Sequence, residues 1–155
     1  MTRDSVDLTF MSRALELARE AAAQGEVPVG AVVVRQGKII AAATNRVEMD
    51  HDPTAHAEVL AIREAAAALG YERLNDCTVY VSKEPCPMCA GAMVLARIER
   101  CVYAAPDAKS GAAGSVFNLL QAPGLNHQVA ITSGVLSDDA TQILKKFFTH
   151  LRQQP

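Results

Sequence analysis

Tryptophan is absent from the 155-residue sequence, and all aromatic residues together make up 5% of it. That scarcity excludes an aromatic-lined sugar binder or a base-stacking platform of the usual kind. No run reaches the roughly 18 apolar residues that a membrane span needs, so no membrane partner is expected. Met1-Thr2-Arg3-Asp4-Ser5 does not lead into the apolar core of a signal peptide, and the expectation is a cytoplasmic protein. Neither sign of charge dominates: 15 Lys+Arg stand against 17 Asp+Glu, for a net charge of -2. This excludes gripping long nucleic acid by bulk charge and leaves room for a small cationic patch. Cysteines number only four. In a reducing compartment they read as metal ligands or catalytic groups before disulfides.

What is present describes a globular domain. Half of the residues are hydrophobic and 21% are charged, too apolar for a disordered chain. The length suits one domain, residues 1–155, with its core at about 8–151. From Phe10, apolar residues recur at Ala14, Leu17, Ala18 and Ala21, one stripe of a helix over 8–23 that Gly25 ends. Strands are expected over 29–34 and 39–43, joined at Gln36-Gly37. Thr54 would cap a helix that runs to Leu69 and stops at Gly70. A third strand (77–81), a helix (86–97), a fourth strand (101–105), a Gly/Ala/Ser loop (107–115) and a helical turn (116–120) follow. A fifth strand (129–132) and a terminal helix (138–151) complete the chain. The order predicts an α/β fold: a mixed five-stranded sheet covered by helices on both faces.

Two short pieces carry chemistry. His56-Ala57-Glu58 opens one helix, and Pro85-Cys86-Pro87-Met88-Cys89 opens the next. Cys-x-x-Cys at a helix start points two thiolates into one tetrahedral site, and His56 offers a third ligand. One nitrogen, two sulfurs and an open position fit a catalytic zinc (Zn2+), not a closed structural one. Glu58 is placed to handle protons without ligating the metal. Read alone, Cys86 and Cys89 also fit a redox pair, and His56 a plain helix-start histidine. The joint pattern His-x-Glu and Pro-Cys-x-x-Cys is the zinc-deaminase signature. Cys77 and Cys101 fall in strands and read as buried fillers. Met88 and Met93 read as core.

Beyond these motifs the chain resembles the bacterial tRNA-specific adenosine deaminases, from about Leu8 to Leu151. The resemblance includes Glu26-Val27-Pro28-Val29-Gly30-Ala31, Asn45-Arg46, Asp52-Pro53-Thr54-Ala55-His56-Ala57-Glu58 and Glu84-Pro85-Cys86-Pro87-Met88-Cys89. Its most specific stretch is Asp107-Ala108-Lys109-Ser110-Gly111-Ala112-Ala113-Gly114-Ser115, followed by Asn126-His127. The resemblance implies a cytidine-deaminase-like three-layer α/β/α fold. It implies hydrolysis of the wobble adenosine of a tRNA anticodon loop to inosine, with His56, Cys86 and Cys89 on zinc and Glu58 as proton shuttle. It further implies that Asn45 and the backbone N–H of Ala57 meet the base, that Val27 walls the pocket, and that Lys109 and Ser110 approach the RNA. A homodimer is implied as well.

Asn45 also reads as a turn cap, and Lys109 as a plain solvated lysine. His51 lies in a polar loop, where it either orients backbone or is solvated. Two positions depart from the family pattern. Lys83 stands where an apolar residue is usual, either at the mouth of the site or snorkelling from a strand end. Gln128 stands where a basic residue is common. Lys145, Lys146, His150 and Arg152 form either a solvated face or a contact to the anticodon stem. A guanine or cytosine deaminase would share His56, Glu58, Cys86 and Cys89, and a zinc-stabilised scaffold would need a fourth protein ligand. With no appended RNA-binding module expected, the catalytic domain itself would grip the substrate.

Overall fold

The computed structural model describes residues 2–154; Met1 and Pro155, the two ends of the expected domain, lie outside the described residues. The elements are α1 (Arg3–Ala23), β1 (Gly30–Arg35), β2 (Lys38–Thr44), α2 (Ala57–Leu69), β3 (Cys77–Lys83), α3 (Pro87–Leu95), β4 (Arg100–Ala105), a 3-10 turn (Leu119–Gln121), β5 (Ala130–Thr132) and α4 (Ser137–Arg152). One sheet holds all five strands in the order β2-β1-β3-β4-β5. The β1 strand is antiparallel to β2 and β3, while β3, β4 and β5 run parallel.

Alternation along the strands divides the core. Val33, Val79, Val81, Cys101 and Tyr103 face α2 and α3. Val32, Val34, Tyr80, Val102 and Ala104 face α1 and α4. Neighbouring residues on a strand point to opposite faces, so a continuous valine run such as Val32-Val33-Val34 serves two helical layers. The result is the expected α/β/α sandwich. Cys77 and Cys101 are fully buried in the layer under α2 and α3.

Several local expectations shift. The first helix begins at Arg3, because the Thr2 hydroxyl oxygen accepts the Ser5 N–H and caps a polar first turn. Thr54 does not cap α2: its hydroxyl and N–H both donate to Asp52 Oδ1, at 2.7 and 2.8 Å, in an Asx turn. His56 is the N-cap instead. The α3 helix stops at Leu95, and Arg97 turns the chain with φ of 61°. Gly70 ends α2 in the left-handed region at φ 67°, as its position suggested.

Charge also crosses the layers. Buried Asp7 of α1 accepts from the Tyr80 hydroxyl at 2.7 Å and from the Arg100 guanidinium at 2.8 Å. Arg100 reaches on to Thr132 at 2.9 Å. One carboxylate thus ties α1 to β3, β4 and β5. Arg100 and Tyr80 hold it below the ordinary carboxylate range against the opposing effect of burial.

Gly30 packs directly against the backbone of α1. A Cβ there would meet the Ala14 carbonyl, the Leu17 Cβ (2.5 Å) and the Ala18 nitrogen (2.7 Å). Two of these neighbours are helix backbone and cannot yield without moving α1. Gly30→Ala is therefore expected to cost about 3 kcal/mol, the upper end for an overpacked core. A urea unfolding midpoint measures it; an unchanged midpoint would show that α1 is free to slide.

Candidate active site

Strand direction gathers the site at one edge of the sheet. The start of β1 pairs with the end of β2 (Gly30 with Thr44) and lies near the end of β3 (Ala31 with Val81). The parallel β4 ends there too (Lys83 with Ala105). The segments carrying Val27, Asn45, Cys86 and Asp107 therefore leave the sheet at the same edge. This is the usual place for function in such folds.

Two helices begin beside this edge with side chains capable of binding a metal. His56 is the N-cap of α2 and Cys86 the N-cap of α3. Pro87 occupies the first helical turn, where its missing N–H costs nothing. Cys89 lies in that same first turn, so its thiol and that of Cys86 share one side. His56 Nδ1 is 3.4 Å from Cys89 Sγ and 3.6 Å from Cys86 Sγ. All three ligand atoms lie within 4.8 Å of one another, and no further His, Cys, Asp or Glu joins them among the described residues.

The electrostatics suit a soft divalent cation. Cys86 is pushed down to about 4, first by the thiol hydrogen bond from Cys89 and then by His56. The same bond, with burial, pushes the Cys89 thiol up. One nitrogen and two sulfurs converging at helix N-termini fit zinc chemistry, with one position left for a non-protein ligand. Glu58 is 4% exposed and lies outside the donor cluster. Burial raises its carboxyl to about 6, against the lowering effect of its own backbone N–H and of His56.

A cavity of about 380 Å³ opens in front of these groups, within the range of small-ligand pockets. His56, Glu58 and Cys86 line it, together with Val27, Asn45 and Ala57. Asn45 is 7% exposed, and its Nδ2 donates to the Val27 carbonyl at 3.2 Å. Its Oδ1 is buried with no hydrogen-bond partner. A buried acceptor left without a partner, on a residue that lines a cavity, fits a site completed by a donor that the protein itself does not supply. The Asn45 N–H donates to the Val29 carbonyl at 3.0 Å, so backbone and side chain both fix this residue.

The remaining residues separate cleanly. Ser110 lines the cavity, and its hydroxyl donates to Asp107 at 2.9 Å. Lys109 is exposed outside the lining; its N–H donates to Asp107 Oδ1. Lys83 lines the mouth and pairs with Asp107 at 3.3 Å, so it does not simply snorkel away. His127 is fixed through Nε2 to the Ile98 carbonyl at 2.6 Å. Gln128 donates to the Ala122 carbonyl at 2.9 Å. His51, Lys145, Lys146, His150 and Arg152 are exposed. Met93 is core, whereas Met88 is half-buried.

The cavity also uses residues that the sequence did not mark as functional. Phe147 and Leu151 of α4 line it. In the sequence they fall on one helical stripe with Ile143 and Leu144, a spacing that by itself does not separate core packing from a cavity wall. Only its first half packs on the sheet; Leu151 is 51% exposed. Glu26, 1% exposed, accepts the N–H groups of Glu48 and Met49 at 3.1 and 2.8 Å and fixes the loop after Asn45.

This three-layer sheet, with its histidine and cysteines at two helix starts, defines the cytidine-deaminase-like class. Residues 6–152 match the MafB19-like deaminase family. The chain is 47% identical over 154 residues to the tRNA-specific adenosine deaminase of Bacillus subtilis, covering 99% of this chain and 94% of that one. A solved tRNA deaminase, studied for A-to-I editing at the wobble position of transfer RNA, superposes with a TM-score of 0.85. It is 44% identical and the match covers 88% of this chain and 99% of that one. The guanine deaminase of Nitrosomonas europaea superposes at 0.80 with 30% identity, over 92% of this chain and 84% of that one. The chain belongs to the tRNA-specific adenosine deaminases.

Proposed function

We propose that this protein hydrolyses the wobble adenosine of a tRNA anticodon loop to inosine and releases ammonia. The observation that carries the reading is that His56, Cys86 and buried Glu58 line the same cavity as Asn45, with buried Cys89 completing the donor triad. His56, Cys86 and Cys89 would hold zinc. Bound there, zinc supplies a Lewis acid that makes water nucleophilic near neutral pH.

The chain's own groups do the rest. Glu58, a buried carboxyl beside the donor cluster, takes up protons and delivers them to the ring nitrogen and the leaving amine. Asn45 Oδ1 accepts an N–H from the base, and its anchored Nδ2 keeps the amide oriented. Ala57 begins α2, so its N–H is one of those with no partner inside the helix and is free for the base edge. Val27 supplies an apolar wall. Glu26, Glu48, Glu58, Glu84 and Asp107 line the cavity against the single lysine Lys83, an unfavourable balance for a phosphate. The base enters and the backbone stays at the rim, near Ser110 and exposed Lys109. A single-stranded loop meets that demand most cheaply, because its bases are already unstacked.

The same reading includes a homodimer in the cytoplasm. Leu95 is 81% exposed and Phe117 49%, apolar area that a second copy would cover. Among the described residues no helix is long and apolar enough to cross a membrane. The two cores share one sheet, which supports one catalytic domain.

The likeness to a guanine deaminase keeps a free-base reaction as the second reading. The test is incubation of zinc-loaded protein with tRNA and, separately, with free guanine. Sequencing should read inosine as guanosine at the wobble position alone. Ammonia from guanine with unchanged tRNA would overturn the tRNA reading.

A further inference from the structure

Glu84 is a buried carboxylate, 2% exposed, that the chemistry above does not use. It ends in the loop that follows β4. Oε1 accepts the Asp107 N–H at 3.0 Å and the Ser115 hydroxyl. Oε2 accepts the N–H groups of Ala113 and Ser115 at 3.0 and 3.1 Å. Gly111 closes over it: a Cβ there would overlap the carboxylate, 2.5 Å from each oxygen. The loop is thus wrapped around one side chain, and the glycine is required by that close approach.

The wrapped loop forms the cavity rim. Asp107 and Ser110 both line the cavity, and Asp107 in turn fixes the N–H groups of Lys109 and Ser110. Three backbone N–H groups and the Ser115 hydroxyl converge on two oxygens, and a carboxylate, which only accepts, satisfies all of them.

We propose that Glu84 is a positioning residue for the RNA substrate, setting loop 107–115 as the outer wall of the cavity through Asp107 and Gly111. The proposal rests on the tRNA reading above. Wild-type turnover of tRNA is its control: a failure of that reading appears in the wild type, a failure of this one only in the variants.

Glu84→Gln tests it without changing volume. The amide nitrogen does least harm at the Oε1 position, where the Ser115 hydroxyl can rotate to accept. The Asp107 N–H then loses its acceptor, and the rim is released while the Ala113 end holds. The expected result is a KM for tRNA raised roughly tenfold with kcat within about threefold. Zinc content should be unchanged, and faster amide exchange should be confined to 107–118. Gly111→Ala, which displaces the carboxylate from the other side, should give the same split and should not add to Glu84→Gln. An unchanged KM in both variants would overturn the proposal. So would loss of zinc together with kcat, which would mean that Glu84 acts through the adjoining Pro85-Cys86 turn. Exchange that rises throughout the sheet would overturn it as well, showing general support of the fold.

Discussion

Glu58→Gln is expected to lower the rate of inosine formation by roughly 10²- to 10⁴-fold, the usual range for a lost general acid–base group. The substitution keeps size and removes both the exchangeable proton and the negative charge. Glu58 lies outside the donor cluster, so zinc content should not change. Full zinc with an unchanged rate would remove Glu58 from the mechanism. The same variant carries a stability signature with a definite sign. Burial raises the carboxyl from 4.5 to about 6. The ionised form therefore costs the folded metal-free protein about 2 kcal/mol above pH 6. That cost fades as pH falls towards 4.5, where the carboxyl is protonated in folded and unfolded chains alike. Metal-free Glu58→Gln should thus be more stable than the metal-free parent at pH 7 to 8 and equal to it near pH 4. Thermal melts at both pH values measure the difference.

How far this site could be read from the sequence follows from the kind of contact involved. His56, Cys86 and Cys89 were legible because each stands at a helix start with ligand spacing, and a helix start fixes where its first side chains point. Their meeting across 30 and 33 residues was implied by the motif. The strand order that makes it possible was not. The hairpin at Gln36-Gly37 and the stop at Gly70 were legible because Gly37 and Gly70 take the positive φ that glycine favours. Thr54 misled for a local reason: Asp52, two residues earlier, competes for the same hydroxyl. Phe147 and Leu151 were hidden because a helical stripe does not reveal where the core ends and a cavity begins. Glu26 and Glu84 were hidden for the opposite reason. A glutamate in a sequence reads as solvated, and only the folded chain shows backbone N–H groups turned towards it.

Removing the metal is the second large expected effect. A strong chelator should abolish inosine formation, and added zinc should restore it. The fold should survive the treatment. Both hydrophobic layers are built on the sheet, and the donor cluster sits at the edge of one of them. This differs from a small domain whose folding energy is the metal's own. The melting temperature should still fall, because the cluster joins the starts of α2 and α3. With zinc at a thousand times its dissociation constant, the lost linkage is about 4 kcal/mol. Cys89→Ala should reproduce the effect permanently. It empties a fully buried ligand position, and no other His, Cys, Asp or Glu among the described residues lies close enough to replace it. Zinc content, circular dichroism and inosine yield on one preparation separate the outcomes. Deamination that persists in zinc-free protein would sink the assignment of His56, Cys86 and Cys89. Collapse of the circular dichroism signal would instead make the cluster a structural clamp, with catalysis lost only as a consequence of unfolding.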